Sequence, residues 1–191
     1  MSEQSTASRR TYVLVDGENI DATLGASVLG RRPNPEERPR WERVQQFARQ
    51  RWGQPVTGLF FLAAHSETLP MPFVQALLAM DYTPIPLSGA PGQKVVDIGI
   101  QRTLDALADR DGDVLLVSHD GDFLPHVQTL LQAGRKVGML VFREFMNSGF
   151  TALTDSGLEV FDLERDVNAF TSPLPRVRII PIEEFDPLRY L

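Results

Sequence analysis

The stretch DVLLVSHDGDFLPHVQTLLQAGRKVGMLVF at residues 113–142 contains two apolar runs separated by a helical segment. The runs DVLLVS at 113–118 and KVGMLVF at 136–142 are short and nearly continuous, which is typical of strands buried on both faces. Residues 123–134 between them have helical periodicity and end in glycine, a common residue just past a helix C-terminus. The stretch therefore predicts a strand–helix–strand unit with parallel strands.

The same alternation of strands and helices extends over most of the chain. Further strands are predicted at TYVLV (11–15), VTGLFFLAA (56–64), YTPIPLSG (82–89) and LEVFDL (158–163), and further helices at 20–29, 41–51, 71–80, 95–109 and 144–153. Apolar strands that alternate with helices indicate a sheet covered on both faces. We therefore expect an α/β fold, a three-layer α/β/α sandwich with a mostly parallel central sheet.

The length of 191 residues fits one domain with a tail. Residues 1–10 show no apolar pattern and predict a disordered leader, followed by one domain at 11–165. A C-terminal extension at 166–191 contains four prolines around VRIIPI at 177–182. The sequence leaves open whether this extension adds an edge strand or forms a strip that binds a partner.

The composition excludes several classes of protein. There is no cysteine, which excludes disulfides, thiolate metal sites and a cysteine nucleophile. No apolar run approaches the roughly 18 residues of a membrane helix, and the polar N-terminus is unlike a secretory signal. We therefore expect a cytoplasmic protein without a membrane partner.

The charges are distributed unevenly along the chain. The net charge of −6 argues against binding nucleic acid over the whole surface. Residues 1–55 carry nine arginines and seven acidic residues, whereas residues 56–191 carry ten basic and eighteen acidic residues. A net positive charge therefore exists in the N-terminal part of the chain, while the acidic residues are concentrated in the rest.

The stretch at 31–51 holds seven arginines and three glutamates. Planar guanidinium groups suit phosphates and unstacked bases, so four of these arginines could form an RNA-binding rim above the end of the first strand. The four are Arg31, Arg32, Arg38 and Arg40. The alternative is a solvated loop in which the arginines pair with Glu36 and Glu37.

Acidic residues follow two of the predicted strands. Asp16 comes directly after the first strand, and Asp120 and Asp122 follow the strand at 113–118. Ligands of parallel sheets bind outside the carboxyl ends of the strands, so these carboxylates converge if the two strands are neighbours. Asp97, in the first turn of the helix at 95–109, could face the same crevice.

Carboxylates held this close cannot all stay ionised unless they share a proton or a cation. Mg²⁺ and Mn²⁺ suit a site of carboxylate oxygens. Such a metal polarises a phosphoryl oxygen and activates water, so the pattern predicts phosphodiester hydrolysis without a protein nucleophile.

Several of these polar residues also have a purely structural interpretation. Asp122 is a good helix N-cap, Asp97 complements a helix dipole, and Asn19 fits a turn. Asp16 is harder to explain in this way, because an acid at the end of a buried strand is costly without a partner. Four acids at the ends of the appropriate elements favour function.

Three motifs, DGEN at 16–19, KVVDIGIQRTLD at 94–105 and SHDGDFLPHVQTLLQAGRKVGML at 118–140, resemble the NYN domain. The likeness is to its bacterial LabA-like branch, within the PIN-like nuclease superfamily, and covers about 12–164. It implies a parallel α/β/α sheet and a Mg²⁺- or Mn²⁺-dependent ribonuclease site.

The resemblance also implies roles for individual residues. By position, the catalytic and metal-binding carboxylates are Asp16, Asp97 and Asp120, with Asp122 a fourth. Asn19 and Ser118 match the polar positions beside them, and Lys94 matches a phosphate contact.

His119 departs from this family, which usually has glycine at the position. A histidine here could contact the substrate, could displace a metal ion, or could pack against neighbouring loops. The position directly precedes Asp120, so the departure bears on activity more than on fold.

The residues and the resemblance together favour a metal-dependent endoribonuclease that acts on single-stranded RNA at an acidic crevice. The alternative is a weak or inactive module of the same fold that binds RNA or a protein partner, which His119 and the extension motivate. Either protein could dimerise, or bind a partner, through residues 166–191. Aspartyl-phosphate chemistry ranks last, because Asp16 does not begin an Asp-x-Asp motif.

Overall fold

A computed structural model describes residues 9–64, 68–177 and 179–191. In this part of the chain the strands are β1 (Arg10–Asp16), β2 (Val56–Ala63), β3 (Tyr82–Leu87), β4 (Gly112–Val117), β5 (Val137–Val141) and β6 (Glu159–Asp162). They form one sheet in the order β3-β2-β1-β4-β5-β6, and each neighbouring pair is parallel. The predicted α/β fold with a parallel central sheet is confirmed.

The helices lie on both faces of this sheet. They are α1 (Gly17–Thr23), α2 (Trp41–Arg51), α3 (Met71–Ala79), α4 (Val95–Ala108), α5 (Leu124–Gln132) and α6 (Ser148–Leu153). The single helix expected at 20–29 is an α-helix followed by a π-helix at Leu24–Leu29, which ends at Gly30 in a left-handed conformation. The last predicted helix begins later than expected, because residues 143–145 form a 3-10 turn.

Alternation along β1 divides the hydrophobic core between the two faces. Val13 and Val15 pack in one cluster with residues of α1 and α2, whereas Leu14 packs in the other with residues of α4 and α5. All three side chains are fully buried. Burying one such side chain contributes about 1.5–3 kcal/mol, so the two layers of helices hold β1 at the centre of the sheet.

Residues at both ends of the predicted domain are part of the fold. Arg10, the last residue of the expected leader, is the first residue of β1, and residues 1–8 lie outside the described part. After β6, residues 167–174 return to the sheet and bury Val167, Phe170 and Leu174 in the cluster that contains Val13.

The tail that follows is exposed. Val177 and Ile179 are 94% and 99% exposed, and further exposed apolar side chains continue to Leu191. Among the described residues no strand follows β6, so the extension does not add an edge strand to this sheet.

Strand β3 forms one edge of the sheet and contains two prolines. Pro84 and Pro86 alternate with Thr83, Ile85 and Leu87, and the carbonyl of Leu87 accepts a hydrogen bond from Ala64 on the β2 side. The backbone N–H and C=O groups of successive strand residues point to opposite sides of the strand. The backbone groups of Pro84 and Pro86 therefore point away from β2. The prolines therefore occupy edge positions that need no N–H donor.

Candidate functional site

The candidate site lies at the carboxyl ends of the two central strands. β1 and β4 are neighbours, so Asp16 at the end of β1 lies beside the loop 118–122 that follows β4. Helix α4 adds Asp97 from its first turn. The strand order places β1 and β4 side by side, and the structure brings Asp97, Asp120 and Asp122 together, with Asp16 outside that group of three.

Three carboxylates form the centre of the site. Asp97, Asp120 and Asp122 each offer an oxygen within 4.8 Å of the others, and among the described residues this is the group that could hold a metal ion. Burial raises the pKa of Asp97, and the negative charge of Asp120 raises it further. Lys94, whose Nζ lies 3.7 Å from the Asp97 carboxylate, acts in the opposite direction.

Asp16 is not a member of this group but lies close enough to Asp97 and Asp120 for their charges to act on it, and it is 3% exposed. Its carboxylate accepts hydrogen bonds from the Ser118 hydroxyl at 2.9 Å and the Asn19 amide at 3.4 Å. Burial nevertheless raises the pKa of Asp16 to about 6, and the charges of Asp97 and Asp120 contribute to the rise. Asp16 is therefore electrostatically coupled to Asp97 and Asp120.

Asp16→Asn is expected to stabilise the metal-free protein at pH 8 by about 1–2 kcal/mol. A pKa raised from 3.8 to about 6 means that the ionised carboxylate destabilises the fold by roughly 3 kcal/mol. The gain from the substitution is smaller than this, because the asparagine side chain has one oxygen and cannot accept both hydrogen bonds. Since the folded carboxyl binds its proton more tightly, wild-type stability falls as the pH rises from about 4 to 6. The advantage of the variant should therefore shrink towards pH 4, as urea unfolding at both pH values would measure.

Asp109→Asn provides the control for this prediction, because Asp109 is exposed at the far end of α4. Its effect should stay within about 0.5 kcal/mol at either pH. If Asp16→Asn is less stable than wild type at pH 8, burial does not destabilise the ionised form of Asp16 as proposed.

Short hydrogen bonds hold the loop after β4 in place. The Asn19 side chain accepts from the His119 amide at 2.8 Å, and the Ser118 hydroxyl accepts from the Asp120 amide at 3.1 Å. Asp120 in turn caps the following turn by accepting from the Asp122 amide at 2.9 Å. Asn19 and Ser118 therefore connect the ends of β1 and β4 and fix the carboxylates relative to each other.

The His119 imidazole is directed towards β5. Its Nε2 accepts a hydrogen bond from the Phe142 amide at 2.8 Å, and the two rings stack at 5.6 Å with an interplanar angle of 11°. Burial lowers the pKa of His119 to about 4, so the imidazole is neutral near pH 7. This geometry corresponds to the packing alternative among those that the sequence left open.

The four arginines of the expected rim have different surroundings. Arg31 forms a two-pronged ion pair with Glu37 at 2.6 and 2.8 Å, and Arg38 pairs with Asp21 at 2.9 Å. Arg40 makes a long hydrogen bond of 3.5 Å to the Glu36 carbonyl. Arg32 is exposed, lining a shallow cavity with Glu18 and Asp21. Arg31 and Arg38 would have to break these ion pairs before their guanidinium groups could bind RNA.

A cleft of about 570 Å³ opens beside the carboxylates. Its lining includes Glu18, Lys94 and Asp97 together with the loop at 89–93. Lys94 is 72% exposed at the side chain, which leaves its ammonium accessible from the cleft. Sequence reasoning missed Glu18 and this loop, although the Gly- and Pro-rich composition before Lys94 was a signal.

A second charged cluster lies at the far side of the site and includes Arg176 from the extension. Its guanidinium is fully buried and donates to Asp162 at 2.5 and 2.6 Å, to Glu144 and to Glu164. Burial alone would raise the pKa of Asp162, but the hydrogen bonds from Arg176 and from two backbone amides outweigh it and lower the pKa to about 2. No sequence pattern pointed to this cluster, because its members are far apart along the chain.

The donor set at the centre of the site fits a divalent cation. Three oxygen ligands from Asp97, Asp120 and Asp122 suit hard ions such as Mg²⁺ or Mn²⁺, which complete their coordination with water. Burial is the main cause of the raised pKa of Asp97, and the negative charges of Asp120 and Asp122 add to it, a repulsion that a cation relieves. His119 lies outside this group.

A parallel α/β/α domain with clustered carboxylates at the carboxyl ends of its strands has the architecture of PIN-like nuclease domains. The family model of the NYN domain matches residues 10–160, and the chain belongs to this family.

Comparison with solved structures agrees on the fold. A protein of unknown function from Vibrio parahaemolyticus is 19% identical, with a TM-score of 0.65 over 85% of this chain and 98% of that one. At this identity the likeness shows the fold alone. The search of curated proteins gives no match. In the described part of the chain, no helix has the length and apolar character needed to span a membrane.

Proposed function

We propose that the protein is a Mg²⁺- or Mn²⁺-dependent endoribonuclease of the LabA-like branch of the NYN family. The observation that carries the proposal is the group of Asp97, Asp120 and Asp122, whose oxygens lie within 4.8 Å of one another beside the buried Asp16. Membership of the NYN family supports a nuclease with this acidic centre.

The chain's own residues have separate roles in this proposal. Asp97, Asp120 and Asp122 would hold the metal, and Asp16 adds negative charge beside them. When bound, the metal polarises a phosphoryl oxygen and makes water a competent nucleophile. Ser118 and Asn19 keep Asp16 oriented towards the group through their hydrogen bonds.

The proposed substrate is single-stranded RNA. The acidic surface repels a polyanion, so binding uses the cations next to the cleft, and a bound metal would strengthen it. Lys94 supplies one such cation, and the proposed rim would add the guanidinium groups of Arg32 and Arg40. The exposed apolar tail supports a second proposed partner, either another protein or a second copy of this chain.

The proposal is tested by incubating the purified protein with a labelled unstructured RNA in MnCl₂, in MgCl₂ and in excess EDTA. Cleavage is expected with either metal and should stop in EDTA. Binding without turnover in both metals would contradict the nuclease and support the alternative of a regulatory RNA-binding module. If the protein neither binds nor cleaves the RNA, both proposed functions are contradicted.

Lys94→Gln is expected to weaken the binding of single-stranded RNA about fivefold and to lower the salt dependence. One phosphate contact contributes about 0.7 to the slope of log K against log salt concentration for a single strand. Fluorescence anisotropy between 50 and 200 mM KCl without divalent metal would measure both. Arg110→Gln, at an exposed arginine just beyond the far end of α4, should change neither quantity. Equal effects of the two variants would exclude a specific contact at Lys94.

A further inference from the structure

We propose that His119 and Phe142 are positioning residues of the candidate site, through which the C-terminal segment 167–176 fixes the loop that carries Asp120 and Asp122. The inference rests on the proposed function for its catalytic consequence. Its structural part, the coupling between segment and loop, stands on contacts in the fold.

The loop is held at His119 from two directions. The backbone amide of His119 donates to the Asn19 side chain at 2.8 Å, and the imidazole Nε2 accepts from the Phe142 amide at 2.8 Å. The ring also stacks on Phe142. With both its backbone and its side chain bound, His119 leaves little freedom to Asp120, the next residue.

Phe142 depends on His119 in return. Phe142 is fully buried, so its backbone N–H cannot bond to water, and the imidazole supplies its acceptor. A glycine at position 119 offers no side-chain acceptor. The imidazole at position 119 therefore has a structural role in this chain.

The C-terminal segment holds the ring of Phe142 in place. Phe170 stacks on it at 5.8 Å, and the guanidinium of Arg176 lies 5.4 Å from its centroid. Arg176 is itself fixed by Asp162, Glu144 and Glu164. A continuous series of contacts thus runs from the extension through Phe142 and His119 to the loop of the carboxylates.

Residues that hold a metal ligand in place change metal affinity when they are lost. Mutation of groups that orient metal ligands typically costs 10- to 100-fold in affinity or activity. The expected signature here is weaker metal binding and a lower kcat with an unchanged KM for RNA, because His119 holds a ligand and does not contact the strand.

The test compares His119→Leu, which removes the acceptor, with His119→Gln, whose side-chain oxygen can still accept from Phe142. Phe170→Leu probes the extension, and Phe47→Leu, at a ring that packs on Phe161 and, among the described residues, makes no ring contact with Phe142 or His119, controls for lost stability. Mn²⁺ affinity is measured by electron paramagnetic resonance of the free ion. The amide signals of residues 120–122 are followed by NMR, and kcat and KM are measured for RNA cleavage.

His119→Leu should weaken Mn²⁺ binding about tenfold and shift the amide signals of the loop, while His119→Gln restores most of the affinity. Phe170→Leu should shift the same signals, and Phe47→Leu should not. Unchanged loop signals and Mn²⁺ affinity in His119→Leu and Phe170→Leu would overturn the inference. If wild-type protein binds no Mn²⁺ and cleaves no RNA, the proposed function fails, whereas the NMR comparison still decides the coupling.

Discussion

Asp120→Asn should lower Mn²⁺-dependent RNA cleavage by about a thousandfold, which corresponds to about 4 kcal/mol in activation free energy. Asp120 is one of three carboxylates within 4.8 Å of one another, so its neutralisation removes a ligand and a third of the negative charge of this group. The amide oxygen can still accept from the Asp122 amide, so the turn after β4 should persist. Single-turnover rates at saturating RNA would measure the loss.

The control for this result is Asp109→Asn, which removes the same charge at the far end of the helix that carries Asp97. At a rise of about 1.5 Å per residue it lies roughly 18 Å from Asp97, and its cleavage rate should match wild type. Circular dichroism should show the same fold for all three proteins. If Asp120→Asn cleaves at the wild-type rate, the activity comes from another site or from a contaminating nuclease.

Arg176→Met is expected to destabilise the protein by about 3–5 kcal/mol, the typical cost of removing one partner from a buried ion pair. The substitution leaves Asp162, which is fully buried, without its main counterion. For a chain of this size the melting temperature should fall by roughly 10 °C. Urea unfolding at pH 7 would measure the change in the free energy of unfolding.

At acidic pH, the difference in the free energy of unfolding between wild type and Arg176→Met should become smaller. The pKa of Asp162 is lowered to about 2 in the folded protein, so its contribution to stability is present above about pH 4 and is lost as the pH falls towards 2. In the variant this contribution is already missing. Arg165→Met, at a neighbouring exposed arginine, should change stability by less than about 0.5 kcal/mol at any pH. A similarly small effect of Arg176→Met would show that the cluster does not stabilise the fold.

The fold could be predicted from the sequence because periodicity is local. Continuous apolar runs such as 113–118 and 136–142 identify strands buried on both faces, and their alternation with helices implies a parallel sheet. Even β3 could be located, although its prolines obscure it. Helix ends were less accessible, as the π-helix at Leu24–Leu29 shows, because they depend on backbone hydrogen bonds that leave no apolar pattern.

The candidate site could be predicted in part. Topology brings Asp97, Asp120 and Asp122 together, as the positions of these residues at strand and helix ends implied. Asp16 remains a predicted ligand beside the group. Partners of surface arginines and of Arg176 could not be predicted, because ion pairs between distant segments follow no period in the sequence. The buried cluster around Arg176 therefore emerged only from the structure.

The two prolines of β3 have a consequence for assembly. Exposed strand edges are templates for pairing with other chains, and a long flat edge promotes aggregation. With Pro84 and Pro86 facing outward, the β3 margin lacks an amide donor at two of the positions that an incoming strand would need. Oligomers or fibrils that grow by continuing the sheet are thereby blocked at this margin, and self-association must use another surface.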